Sequence, residues 1–299
     1  MKRIIRPIIL LFLVLLVCWN LFLPGYREPY TSVLAAPDES RCFSPKCRSI
    51  IKTGGNDKAI LMIHGFPSTP YLYTFFADHF FQEGYDVYAP LLPGFGTDPK
   101  DLERTSFNQW YGYIRSYYLK LRKQYGTVII MGHSMGGALA IKLAEEFQET
   151  DQRPDALVSI SAVVSYRKLS RLFVRTLAAI KPSYGTFTQS HQDRDDGQEE
   201  WTGYGGIFPR AGLSLIANLP QIRKGIPSLT IPFYAVQDKG DKTVPFSSLK
   251  TIEKLQQSER FQVWEMDMGK RSHTRHNLPM YRSVQKELAS SISLFLRDL

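Results

Sequence analysis

The chain predicts an α/β fold: a mostly parallel central sheet with helices on both faces and an inserted helical cap. Three observations carry that reading. Short apolar runs bounded by Gly and Pro recur from Lys58 onward, and segments of helical period separate them. One stretch, Ser165 to Ile231, breaks the alternation and is too long for a simple crossover. The 299 residues, 43% hydrophobic with only 3 Cys, can bury a full core without a disulfide or metal scaffold. Charge and composition are those of a globular protein, which excludes wholesale disorder.

Taken in order, the first element is a targeting segment, residues 1–23. Lys2, Arg3 and Arg6 precede an apolar run from Ile8 to Leu23 that only Asn20 interrupts. Cations before such a run predict a cytoplasmic N-terminus and an exported body, held at the membrane by a single anchor. Two alternatives stand beside the anchor. One is a cleaved signal using Val33-Leu34-Ala35, which would release a secreted protein; the other is a lipoprotein at Cys18, whose neighbours Val17 and Trp19 fit poorly. The net charge of +9 divides between this segment and a mildly basic remainder, and no zinc-finger, RRM-like or basic-zipper pattern is present. Nucleic acid is therefore not an expected partner.

Residues 24–57 read as a linker. Cys42 and Cys47 flank a short loop there, and in an oxidising compartment they are expected to form a disulfide. No nearby His or third Cys completes a ligand set, so no metal is expected.

The body of the chain then spans 58–299. Its expected strands are Ala59–Ile63, Tyr85–Ala89, Thr127–Met131, Ala156–Ile160, Pro232–Val236 and Phe261–Trp264. Helical spacing runs through Phe107–Lys123, Gly137–Phe147 and Met280–Leu299, the last with Val284, Leu288, Ile292 and Leu296 at four-residue steps. The insertion 165–231 is expected to be a cap with its own helices and a mobile polar run, Gln189 to Glu200. Within it, Leu169, Leu172, Phe173, Thr176 and Ile180 share one face of a helix, and Arg167, Lys168, Arg171 and Arg175 the other. The apolar face is expected to cover the active site. The basic face is expected to be solvated, or alternatively to meet anionic lipid headgroups.

The chemistry centres on Gly132-His133-Ser134-Met135-Gly136, a G-x-S-x-G string set between a strand and a helix. A strand turning sharply into a helix lifts the central serine clear of the sheet, provided its neighbours are small. A serine hydroxyl needs a positioned base, and the base an acid to orient it. The acid candidates are Asp238 and Asp241, after the fifth strand. Asp241 is preferred for its Asp-x-x-Val-Pro setting, while Asp238 is expected to cap the turn. The base candidates are His276 and His273, after the sixth strand. His276 is preferred because it directly precedes the last helix. The backbone N–H groups of Phe66 and Met135 are the expected oxyanion hole. His64 and His133 are expected to be structural.

With His64-Gly65-Phe66, Pro93-Gly94-Phe95-Gly96, the serine string and Asp241-Lys242-Thr243-Val244-Pro245 in this order, the chain from about Lys58 to its end resembles an α/β-hydrolase. It is most similar to the serine carboxylesterase and monoacylglycerol-lipase-like group, whose cap occupies the same place. The resemblance implies a serine hydrolase that cleaves carboxylic esters, of short- or medium-chain acids or of monoacylglycerols, through an acyl-enzyme and without a cofactor. The same family hosts peptidases, amidases, thioesterases and acyltransferases, so the fold alone does not choose the substrate. A non-catalytic binding scaffold is the remaining alternative, against which the intact Ser, acid and His count.

Overall fold

A computed structural model describes residues 2–23, 25–28, 32–193, 199–270, 274–297 and 299. A seven-stranded sheet forms the centre. Its strands are β1 (Ile50–Lys52), β2 (Lys58–Ile63), β3 (Asp86–Ala89), β4 (Thr127–His133), β5 (Ala156–Ile160), β8 (Phe233–Asp238) and β9 (Phe261–Met266), in the spatial order β1-β3-β2-β4-β5-β8-β9. Every neighbouring pair is parallel except β1 with β3. The six expected strands are all present. The seventh, β1, lies inside what the sequence reads as linker: Ile50 pairs with Ala89 and Lys52 with Val87 at the sheet edge.

Strand β2 shows why the sheet must be covered on both sides. Successive side chains point to opposite faces. Leu61 and Ile63 join one core with helices α4 (Phe107–Arg122) and α5 (Met135–Phe147), whereas Ile60 and Met62 join a second core with α2 (Thr74–Gln82) and α9 (Gln285–Leu296). All four are fully buried. A strand apolar on both faces has no solvent side, so its sequence reads as a continuous apolar run. A short helix, α3 (Pro99–Glu103), precedes α4, and α8 (Ser247–Leu255) links β8 to β9.

The cap lies between β5 and β8. It carries α6 (Lys168–Ile180) and the start of α7 (Pro209–Gly225), with an antiparallel hairpin between them, β6 (Tyr184–Asp193) and β7 (Glu199–Ile207). The hairpin was not expected, and it takes in both ends of the polar run Gln189–Glu200, whose centre lies outside the described residues.

Two further expectations are corrected. Cys42 and Cys47 are both free thiols rather than a disulfide. Each closes its own 3₁₀ turn, Glu39–Arg41 for Cys42 and Pro45–Cys47 for Cys47, and burial pushes the Cys47 thiol up to about 12. The second concerns the apolar face of α6. Leu169, Phe173 and Ile180 are exposed rather than turned onto the active site. The N-terminal helix α1 (Lys2–Phe22) packs beside them: the Phe12 and Phe173 rings lie 5.8 Å apart, and Asn20 Nδ2 donates to Thr176 Oγ1 at 3.0 Å. The inward face of α6 instead carries Val174. Among the described residues no helix is long and apolar enough to cross a membrane. Helix α1 begins with cations, contains Pro7 and buries Asn20 against α6.

Candidate active site

One residue separates β4 from α5, and it is Ser134. Its backbone sits at φ 55°, ψ −116°, a conformation that a residue with a side chain adopts only when its surroundings enforce it. The enforcing contacts are specific. Ser134 N donates to Ile160 O at 2.9 Å, and its carbonyl accepts from Ala138 N and Val163 N, both at 3.2 Å. Gly136 lets the turn press against β2, since a Cβ there would lie 1.9 Å from the Ile63 carbonyl oxygen. Sharp strand, strained serine and small neighbours together make the nucleophile elbow that the motif predicts.

Strands β8 and β9 deliver the acid and the base to the same end of the sheet. Asp241 Oδ1 accepts from Thr243 N at 2.8 Å and Val244 N at 2.9 Å. Its Oδ2 accepts from Gln237 Nε2 at 3.2 Å and faces His276 Nδ1 at 2.8 Å. Four donors fill the carboxylate. Because a carboxylate only accepts, Nδ1 of His276 carries a proton, and in the neutral ring Nε2 is then the free base nitrogen. The backbone at His276 is held as well: its carbonyl accepts from His133 Nε2 at 3.0 Å and Ser161 Oγ at 3.2 Å. Thus the structure pairs Asp241 with His276, and the alternative His273 lies outside the described residues.

The Asp238 carboxylate serves other partners, although its backbone carbonyl accepts from Asp241 N at 3.1 Å. It accepts from Gly240 N at 2.7 Å, the expected turn cap, and also from Met268 N at 2.6 Å. The sequence reading missed its third partner. Arg275, at φ 57° immediately before His276, sets its Nε 2.6 Å from Asp238 Oδ1 and its Nη2 2.5 Å from Asp267 Oδ1. This ion pair ties the loop carrying His276 to the end of β8. The signal was present in the Arg275-His276 pair, but a guanidinium's partner is set by tertiary structure.

His64 and His133, expected to be structural, are packing groups. His64 Nδ1 donates to Gly65 O at 3.0 Å and its Nε2 accepts from Leu92 N at 3.1 Å. Complete burial lowers its pKa to about 4. Burial also lowers that of His133 well below the ordinary value, with the nearby His276 adding to the effect.

Phe66 and Met135 flank the serine. Met135 opens α5, so its N–H has no acceptor within the helix. Phe66 follows Gly65, where a Cβ would come within 2.9 Å of His133 Nδ1 and 3.0 Å of Ser134 Cβ, so only glycine lets this loop lie on the elbow. Ser134 opens into a cavity of about 260 Å³, walled by Phe66, Val163, Val174, Phe208, Leu215 and Ile216 among others. None of its described lining residues is charged.

A strained serine at a strand-to-helix elbow, beside a later Asp–His pair on a parallel sheet with a cap, defines an α/β-hydrolase. The family described as "Serine aminopeptidase, S33" (Hydrolase_4) matches residues 54–267, and the chain belongs to it. Among curated relatives it is 36% identical over 107 residues to the thermostable monoacylglycerol lipase of Bacillus sp. (strain H-257). It is 30% identical over 90 residues to a carboxylesterase of Bacillus subtilis. These matches cover 35% and 30% of this chain, and 40% and 37% of the relatives' lengths. Solved structures show the same fold over most of the chain. One comes from LipS and LipT, metagenome-derived lipolytic enzymes, with TM-score 0.73, 20% identity and coverage of 85% of this chain and 98% of that one. Another is the monoacylglycerol lipase of Paleococcus ferrophilus, with TM-score 0.65, 16% identity and coverage of 83% and 97%.

Proposed function

We propose that the protein is a serine esterase acting on carboxylic esters of short- to medium-chain acids, including monoacylglycerols. The observation that carries this reading is the apolar cavity at Ser134. An alkyl chain needs walls that make no hydrogen bonds, and the lining residues supply them. The curated relatives named as monoacylglycerol lipase and carboxylesterase support the same class.

In this reading Ser134 Oγ attacks the ester carbonyl while His276 Nε2 takes its proton, and Asp241 holds the resulting imidazolium through Nδ1. The Phe66 and Met135 N–H groups bind the oxyanion, each worth roughly 3 kcal/mol of transition-state stabilisation. His276 then protonates the departing alcohol. The acyl-enzyme is hydrolysed when His276 takes a proton from water and returns it to Ser134. A fluorophosphonate probe should label the wild-type protein and not Ser134→Ala. No hydrolysis of p-nitrophenyl esters at any chain length, in folded protein, would overturn the reading.

The family description raises a second reading, an aminopeptidase. A free α-amino group is cationic near neutral pH and, once desolvated, calls for a carboxylate beside it. The described residues lining the cavity offer none, which favours the ester. The ratio of kcat/KM for an alanine p-nitroanilide to that for a butyrate ester separates the two.

We also propose that the protein is attached to a membrane through its N-terminal segment, with the catalytic domain on the exported side. Lys2, Arg3 and Arg6 supply the orientation, and Leu11, Leu15, Leu21 and Phe22 of α1 leave large apolar surface exposed. Recovery of the intact protein wholly in the soluble exported fraction would overturn this.

A further inference from the structure

Helix α7 forms one wall of the active-site cavity. Phe208 just before it, and Gly212, Leu215 and Ile216 within it, recur at spacings of three and four and line the same space. Gly212 is the anomaly in this row. It lies inside the helix, with its N–H donating to Phe208 O at 2.9 Å, and only proline forms helix less well than glycine. Two other helical glycines are forced by crowding: a Cβ at Gly136 would lie 1.9 Å from the Ile63 carbonyl oxygen, and one at Gly137 2.5 Å from Ala162 Cβ. At Gly212 a Cβ would meet nothing within 4 Å, and the backbone does not lie at positive φ. Neither packing nor backbone geometry accounts for the residue. What it does is leave the cavity wall open.

The neighbours of Gly212 show which part of an ester would use that opening. The wall around it offers the side chains of Phe208, Pro209, Leu215 and Ile216, none of which can hydrogen-bond a glycerol-like alcohol; the polar lining residues Tyr166 and Thr243 come from other segments. We propose that Gly212 is the residue that sets acyl-chain length: the volume left by its missing side chain is occupied by the outer methylenes of a medium-chain acyl group. The inference rests on the esterase reading above and deepens it.

The test is a pair of variants, Gly212→Ala and Gly212→Leu, assayed on p-nitrophenyl esters from acetate to decanoate. The ratio of kcat/KM for decanoate over butyrate should fall by about tenfold or more in Gly212→Leu and by less in Gly212→Ala. Thermal unfolding guards against loss of fold, because alanine propagates helix better than glycine and meets no neighbour here, so Gly212→Ala should unfold at a higher temperature. A readout independent of turnover uses ligand-induced stabilisation: decanoate should raise the unfolding temperature of the wild type and not that of Gly212→Leu. An unchanged acyl profile in both variants, or an effect confined to a series of esters differing only in the alcohol, overturns the inference. A wild type that hydrolyses no ester overturns the esterase reading instead, and the decanoate stabilisation still decides whether Gly212 opens an alkyl site.

Discussion

Tyr204, in the cap hairpin, donates its backbone N–H to the carbonyl of Pro67, 3.1 Å away, one residue beyond the expected oxyanion donor Phe66. Ser68 bridges to Gly203, and Thr69 Oγ1 donates to Thr202 O at 3.2 Å, so β7 runs along the oxyanion loop as a short extra strand. The Tyr204 hydroxyl continues the connection, accepting from Thr97 N at 2.8 Å and donating to Gly94 O at 3.2 Å. The cap therefore acts as more than a cover. It fixes the loop that carries the expected oxyanion donor.

Gly203 is the point where this contact is closest. A Cβ there would lie 2.4 Å from the Pro67 carbonyl oxygen, which is backbone and cannot swing aside. We expect Gly203→Ala to shift the oxyanion loop and lower kcat by roughly tenfold to a hundredfold, with little change in KM. That is less than deleting an oxyanion donor outright, which costs about a hundredfold to a thousandfold. Steady-state kinetics on a butyrate ester would check this, and an unchanged kcat would show that the hairpin and the loop move independently.

Asp241 orients His276 through a single hydrogen bond to Nδ1. Asparagine at 241 keeps the shape but can present its NH₂ to the ring, which favours the tautomer with the proton on Nε2 and removes the lone pair a general base needs. We expect Asp241→Asn to lower kcat by about 10³-fold to 10⁴-fold while KM stays within a few-fold, with Asp238→Asn much less damaging to the chemistry. Comparable losses of kcat in the two variants, both folded by circular dichroism, would contradict the assignment of roles.

The parts of this site that the sequence made legible are those set by local chain geometry. Ser134 could be read because strand, small residues and helix are contiguous, and Asp241 and His276 because each follows a strand in order. Other features depend on what a segment meets. The helical period of α6 was correct, but period alone does not say that Phe173 would lie beside Phe12 and Val174 would face the cavity. Strand β1 is three partly exposed residues at the sheet edge, where β3 is its one strand neighbour, so no long apolar run marks it. Strand β7 contains Gly203, Gly205 and Gly206, a composition that reads as loop until its pairing with β6 is seen. Gly212 carries no signal at all without the cavity beside it.

Arg275 has a positioning role that can be separated from chemistry. Its partner Asp238 has no solvent-exposed side-chain surface, so Arg275→Met would leave a buried carboxylate without its guanidinium. Breaking a buried pair from one side costs about 3 kcal/mol or more, and we expect a loss of that order in chemical unfolding. Because Arg275 precedes His276, kcat should fall as well, and Arg275→Lys should restore stability better than kcat, since an ammonium cannot bridge Asp238 and Asp267 as a planar fork does. Full activity in a destabilised Arg275→Met would show that the clamp serves folding only.

His64 makes acid a specific threat to the fold. Its Nε2 must stay unprotonated to accept the Leu92 N–H, and burial lowers its pKa to about 4, from an ordinary value near 6.5. Between those values the unfolded chain binds a proton that the folded protein does not, so stability rises with pH. The contribution is fully present above about pH 6.5 and is lost as pH falls toward 4, amounting to about 3 kcal/mol across the window. Urea unfolding measured at several pH values should show this slope, with His133 adding to it because its pKa is lowered by the same burial. Replacing His64 by Gln removes the titrating group. We expect His64→Gln to be less stable than wild type near pH 7, where the imidazole fits both Gly65 and Leu92, and to lose less on acidification. An acid slope as steep in His64→Gln as in the wild type would place the acid sensitivity elsewhere in the molecule.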